Sequence, residues 1–501
     1  MAIFDLLVII IYIALMIAIG YYFSVKNKAN NNFSIASSKI PHWALGLSFY
    51  ATFLSAITFL GDPGKSFGSN WNPFVFSLSM PFAAYISSKY FVPFYRNSGE
   101  ISAYTHLEKR FGAWARTYAM VCFIFTQLAR MGTIFYGIAL TINTLTGYNM
   151  IIIMIVAGLC IIIYTVLGGM EAVIWTEVLQ AIIKTLGALL ILWLIISKTS
   201  LSTIVSEGIK YDKFSLGSTS FDFTINSFWV VFMYGFFINL TNFGVDQNYI
   251  QRYHSAQNTK GASKSVWLCV IYYLPVSFLF FFIGTALFVF YGQFPELLLP
   301  LKQTVADTKN INISALLPVD YADKVLPFFI KTQIPTGLLG ILIAALLSAA
   351  MSTMSSGMNS SATVFLNDIY LRYFNRNLEK SKQVVVLKMG TIVMGILGII
   401  FGVSMIGVKS LLDVWWKLSG VFAGGMLGIF LLGFLVEKAQ NIHAKWAIVI
   451  GIFTITWLSF SEFFPDYLQS PFDTKMTIVF GTLVILGTGF LASKLHKMDP
   501  K

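Results

Sequence analysis

The 501-residue chain is 56% hydrophobic and only 11% charged, which excludes a soluble domain of ordinary composition. Its formal charge of +12 would suit a nucleic-acid partner, but the positive residues sit in alternate short loops between apolar runs, the pattern that membrane topology imposes. The lipid bilayer, and no nucleic acid, is the expected large partner.

Apolar runs able to cross about 30 Å of hydrocarbon as helix are predicted near residues 3–24, 41–66, 72–95, 113–144, 149–168, 172–197, 226–251, 263–291, 334–370, 384–408, 411–436, 443–461 and 475–493. These make 13 transmembrane helices in one all-α integral membrane domain spanning 1–501. The first run has no basic segment before it and no small-residue cleavage site after it, so it reads as a retained helix and not a signal peptide. One set of alternate loops and tail, from Lys28 and Lys39 through Arg372 and Lys382 to Lys497 and Lys501, holds twice the Lys and Arg of the other set, which runs from Lys65 to Lys475. The positive-inside rule then puts the N-terminus outside and the C-terminus in the cytoplasm, across the cytoplasmic membrane of the cell. The two longest polar stretches, 200–227 and 293–327, fall on the outer side as candidate gates or caps.

Enzyme readings find little support. Cys122, Cys160 and Cys269 all fall within spans without metal-ligand spacing and read as packing residues. Neither a Walker loop nor HExxH occurs, and His42, His106, His254, His443 and His496 map to loops or span ends, away from any deep nucleophile. A sensor would usually carry an appended soluble signalling domain, and the sequence has none.

Residues 41–197 and 226–436 form two successive groups of five spans, with 3–24 before them and 443–493 after. Five is odd, so the second group enters the membrane in the opposite sense to the first, which is how inverted repeats arise. The first span of each group is interrupted by polar residues: ATFLSAIT at 51–58, followed by Gly61, Asp62, Pro63 and Gly64, and NLTNFG at 239–244, followed by Asp246 and Gln247. Unwound backbone at membrane depth is tolerated only where protein encloses it, so paired interruptions point to a binding site. Hydroxyl-to-carbonyl bonding within an intact helix is the alternative for either cluster.

SAAMSTMSSGMNSSA, residues 348–362, places seven hydroxyls in an otherwise apolar helical run. At about 100° per residue, Ala349, Ser352, Thr353, Ser356 and Ser360 share one stripe, flanked by Ser348, Ser355 and Asn359. Close helix packing through small residues accounts for Ser and Ala there, but less well for so many oxygens. A hard monovalent cation wants several oxygen ligands, by extension from hard divalent ions. Carbonyls freed by a broken helix, with hydroxyls from an intact one, would supply them.

These stretches, with YTVLGGMEAVIWTEVLQ from Tyr164, DQNYIQRY ending at Tyr253 and GLSFYATFLSAITF, resemble the sodium:solute symporter family over nearly the whole chain, and within it the bacterial sodium-coupled sialic acid transporters. The resemblance implies a LeuT-like fold of five plus five helices, one extra N-terminal and two extra C-terminal helices. It implies sodium as coupling ion and symport of sialic acid, N-acetylneuraminate, by alternating access, with proline or another small carboxylate or sugar as the alternative cargo. It also implies a first sodium site from the carbonyls of Ala51, Leu54 and Ala349 and the hydroxyls of Ser352 and Thr353. A second sodium would lie against Ser352, Ser355, Ser356 and Glu177, where Glu177 stands in place of an aspartate and reaches one methylene further. The chain is expected to work as a monomer.

Arg130, in FTQLARMGTIFYGIAL, has no acidic residue within a helical turn or two. Leaving it unpaired at mid-membrane costs at least about 2.5–3.5 kcal/mol, so a partner is expected. Its planar fork suits a carboxylate, either the substrate's or one within the protein. The resemblance implies the substrate's. Ser55 and Thr58 match the family's substrate positions, Phe53 stands where those transporters have a threonine, and Ser77 where they have a glutamine. Asn242 and Phe243 on the second broken helix are further candidates. Lys184 lies two turns beyond Glu177 on a similar face, where an internal partner would satisfy it, and receives no role; Lys417 is expected to snorkel; Asp246 and Arg252 read equally as part of an inner gate or its loop and as structural residues.

Overall fold

The computed structural model describes residues 3–27, 40–335 and 337–495, so that Lys28, Lys39, His496, Lys497 and Lys501 lie outside the described residues. Apart from one isolated bridge between Ile40 and Ala256, the regular structure among the described residues is helical. The elements that matter are α1 (Ile3–Asn27), the broken pair α2 (His42–Phe53) and α3 (Ala56–Gly68), α4 (Ala113–Thr146), α5 (Met150–Thr199), the second broken pair α6 (Phe228–Gly244) and α7 (Gln247–Ser255), α8 (Thr259–Gln293), α9 (Leu339–Val364), α10 (Lys380–Ser404), α11 (Leu411–Leu435), α12 (Asn441–Ser459) and α13 (Met476–Leu495).

Local chemistry explains where the chain bends. α5 spans 50 residues, too long for one crossing, and Gly169 divides it with φ 63° and ψ −169°, a backbone geometry open essentially to glycine. Gly169 thus falls between the two spans expected at 149–168 and 172–197. The run expected at 72–95 is a chain of short pieces from Asn72 to Ser98, in which Pro73, Pro81 and Pro93 each sit at the start of a helical segment and Ser87–Phe91 forms a π turn. Proline lacks the N–H that a continuing helix needs, so each one restarts the helix.

α9 runs through the middle of the bundle against α5, α1, α10 and α4, with nearly its whole length buried. Outer helices such as α1 and α10 instead expose Leu15, Ile396 and Ile400, as lipid-facing surfaces do. Lipid is as apolar as leucine, so helix association rests on close packing through small residues. Gly284 of α8 is one such contact: a Cβ there would sit 2.7 Å from Ser66 Cβ and would run into the Pro63 carbonyl of α3. The Ser66 hydroxyl, donating to Phe281 O at 2.7 Å, ties the same interface. Gly284→Ala is expected to destabilise the detergent-solubilised protein by about 1–3 kcal/mol through overpacking; a thermal melt superimposable on wild type would show that the contact yields freely.

The two polar stretches converge on one end of α3. Lys213 donates to Phe67 O at 2.7 Å and Ser69 O at 2.8 Å, and Trp71 N donates to Ser215 O. From the other stretch, Asp323 packs on Gly64 of α3, where an added Cβ would lie 3.2 Å from the Asp323 Cα, and accepts from the Leu411 amide at 2.9 Å. Near the start of α4, Arg116 bridges Glu108 at 2.9 Å and Asp368, and Arg372 also pairs with Glu108. The guanidinium of Arg372, with that of Arg116, holds the Glu108 carboxyl below the usual carboxylate range.

Candidate functional site

The site begins with two helix breaks. α2 and α3 meet at 58°, because Leu54 and Ser55 are extended (φ −83°, ψ 91° and φ −96°, ψ 178°) and the Ser55 hydroxyl caps α3 by accepting from Ile57 N at 3.2 Å. Such a break strips carbonyls of their helical partners, and in a bilayer each must find another. Thr52 O accepts from the Thr353 hydroxyl at 3.2 Å. Ala51 O accepts from the Ser352 hydroxyl at 2.9 Å and from Lys184 Nζ at 2.7 Å, and Leu54 O accepts from Lys184 Nζ at 2.6 Å.

The second break, between α6 and α7, bends by 46°. Asp246 caps α7 by accepting from Asn248 N at 2.8 Å. Here tyrosines meet the freed carbonyls: Tyr253 donates to Phe243 O at 2.7 Å and Tyr95 to Gly244 O at 2.8 Å.

Between the breaks lies a cavity whose wall includes Phe53, Ser55, Thr58, Ser77, Arg130 and Asn242. Six of the seven predicted substrate residues therefore come together. Phe243 is not on that wall; it is buried and packs its ring 5.2 Å from that of Phe53. Ser77 is engaged by Ser277 at 2.8 Å.

Arg130 is buried, with its guanidinium 5.0 Å from the Trp415 ring centre. Sequence spacing along α4 showed it no acidic neighbour, but the tertiary fold brings Asp246 Oδ2 to 3.8 Å and Asn242 Oδ1 to 3.4 Å. Both contacts are long for a guanidinium, which has five N–H donors. Arg130 therefore keeps donors that these two contacts do not use. Sequence reasoning missed other parts of the wall, among them Asp62, Tyr249, Tyr273, Trp415 and Trp416. For Asp62 a signal existed, since it follows Ser55 and Thr58 at helical spacing; the aromatic residues come from elements whose packing no local pattern reveals.

The predicted sodium positions look different from expectation. Ser352 and Thr353 do meet the α2 carbonyls, and Ala349 O accepts a 3.3 Å bond from Ser352. The ammonium of Lys184, which the sequence reading left without a role, stands among the first site's oxygens, and also donates to Ser352 Oγ at 3.3 Å. At the second position Glu177 is fully buried and paired with Arg252 at 2.7 Å. Its oxygens also accept from Ser356 at 2.6 Å, Thr52 at 3.3 Å and Ser48. Arg252, expected near an inner gate or loop, is buried at the heart of this cluster and donates further to Ser48, Thr52, Ser356 and Asn248 O. Ser355 bonds back to Ser352 O at 3.3 Å. Lys417 ends in an ion pair with Glu462 at 2.8 Å, and the three cysteines are free.

Residues 33–451 match the Sodium:solute symporter family. The chain is 29% identical to the sodium/sialic acid symporter NanT of Aliivibrio fischeri, covering 97% of this chain and 92% of that one. It is 30% identical to the sodium/sialic acid symporter SiaT of Proteus mirabilis, covering 94% and 92%. Among solved structures, a substrate-bound, outward-open sodium-coupled sialic acid symporter superposes with a TM-score of 0.86 at 28% identity, over 99% of this chain and 98% of that one. A nucleobase-cation-symport transporter, Mhp1, shares the fold with a TM-score of 0.58 at 15% identity, over 94% and 96%.

Proposed function

Because the chain belongs to the sodium:solute symporter family, we propose that it is a secondary active symporter that imports a sialic acid, N-acetylneuraminate, by alternating access with sodium as the coupling ion. Its fold is the all-α, LeuT-like one, and its relatives are transporters, not enzymes. The observation that carries the substrate reading is Arg130, buried on a cavity wall with donors to spare, in a cavity also lined by Ser55, Thr58 and Asp62. In this reading the guanidinium takes the sugar acid's carboxylate in a bidentate pair, while Ser55, Thr58 and Asp62 meet hydroxyl and amide hydrogens. Asp62 suits a cargo that brings its own hydrogen-bond donors. The rings of Phe53, Tyr273 and Trp416 cover the sugar's apolar face. Support for sodium comes from the kinship.

The same reading has the protein act as a monomer in the cytoplasmic membrane, N-terminus outside, with 41–197 and 226–436 as inverted repeats. Their broken helices would pivot about the cavity, exposing it to one side of the membrane at a time. The test is uptake into proteoliposomes. Labelled N-acetylneuraminate should accumulate above its outside concentration when a sodium gradient points inward, and excess proline or glucose should leave that uptake unchanged. Uptake abolished by proline, or no accumulation with any sodium gradient, would overturn the reading.

A further inference from the structure

We propose that Lys184 is the resident cation of the first predicted sodium site: its ammonium fills that site throughout the transport cycle, and no sodium ion binds there. The inference rests on the symporter reading for what the site is, and departs from the family resemblance in what fills it.

The geometry is that of a ligated cation. An ammonium has three N–H donors and no acceptor, and Lys184 Nζ has three acceptors: Leu54 O at 2.6 Å, Ala51 O at 2.7 Å and Ser352 Oγ at 3.3 Å. Both carbonyls are set free by the break in α2–α3, the feature that would otherwise offer them to a metal ion. None of the three partners is a carboxylate. The lysine's charge is thus balanced by peptide dipoles and a hydroxyl, as an alkali ion's would be, and not by an ion pair. Glu177, two turns back on α5, is engaged by Arg252. Tyr50 adds its ring face 5.4 Å from the nitrogen, a favourable cation–π placement.

Sodium and this ammonium exclude each other. An ion bound by Ala51 O and Leu54 O would have to lie within a few ångströms of Nζ. Two unit charges about 4 Å apart repel enough, at the effective dielectric of a partly buried site, to lower sodium affinity by about a thousandfold. Lys184 is also fully buried and covalently tethered, so it stays at high local concentration while sodium must compete from solution. A diffusible ion would unbind on the inner side at the end of each cycle; a tethered one cannot. The chain therefore carries one positive charge fewer with each substrate than a symporter that loads this position from solution.

The experiment counts bound sodium. Purified, substrate-free protein in detergent is titrated with radiolabelled sodium at constant ionic strength, using wild type, Lys184→Ala, Lys184→Ser and Lys184→Arg. Lys184→Ala empties the position and leaves its oxygens in place, so it should bind one sodium ion per chain more than wild type, and added sodium, but not choline, should raise its melting temperature beyond any wild-type response. Lys184→Ser leaves the same room and adds an oxygen, so it reads the same count if the Ala variant proves unstable. Lys184→Arg keeps a cation and should match wild type. Equal counts for wild type and both small variants would overturn the proposal, because a lysine that only braces the helix break beside a bound sodium ion predicts equality. The count needs no sugar acid. Failure of N-acetylneuraminate uptake with a raised count would therefore reject the substrate and keep the resident cation, and the reverse pattern would do the opposite.

Discussion

Replacing Arg130 with Ala is expected to abolish concentrative uptake of N-acetylneuraminate and to weaken its binding by a factor of a hundred or more. Truncating one side of a buried, hydrogen-bonded charge pair costs on the order of 2–5 kcal/mol, much of it from leaving the other charge unpaired. In the proposed pairing, the charge left unpaired is the substrate's carboxylate. Arg130→Lys keeps the charge and loses the planar fork, so it should recover part of the binding. Arg130→Ala also strips Asp246 of its cationic neighbour at 3.8 Å, and a melting curve is needed beside the binding curve. A stable Arg130→Ala protein that binds and accumulates the sugar acid as wild type does would remove the clamp from the mechanism.

The second large effect lies in the charge cluster beside the cation position. Glu177→Gln leaves the Arg252 guanidinium fully buried without its carboxylate, and Arg252→Met leaves Glu177 without its cation. Breaking a buried pair from one side typically costs about 3–5 kcal/mol, so each single variant should melt well below wild type in detergent. The double variant should recover part of that loss, because no uncompensated charge remains. Ser48, Thr52 and Ser356, drawn from α2 and α9, converge on the same pair, so the loss should also loosen the packing of the broken helix on α9. Single variants that melt with wild type, or a double variant worse than the sum of the two, would show that the pair does not hold these helices together.

Much of the architecture could be read from local pattern. Apolar length marked the long membrane helices, and the clusters at 51–58 and 239–244 marked the two breaks, while the bends at Gly169 and between Asn72 and Ser98 rest on glycine and proline that the sequence reading did not single out. These are short-range effects: a backbone that loses a donor, or that needs positive φ, declares itself within a few residues. The candidate cavity was legible to the extent that its residues sit at the breaks, as Phe53, Ser55, Thr58 and Asn242 do.

Charge partners were another matter. Arg130 looked solitary along α4, yet Asp246 reaches it from more than a hundred positions away; Arg252 read equally as a gate and as a structural residue, with no partner named, and is Glu177's counter-ion; Lys184 received no role and stands on the freed carbonyls of α2. The amino-acid order by itself determined that the chain lives in lipid, where its helices break, and that oxygen collects on α9, since hydropathy and backbone sterics act between near neighbours. Only the tertiary structure decided which cation faces that oxygen. A charge buried in low dielectric is answered by whatever group the packing of distant helices brings within about 3 Å, and no spacing along the chain encodes that choice.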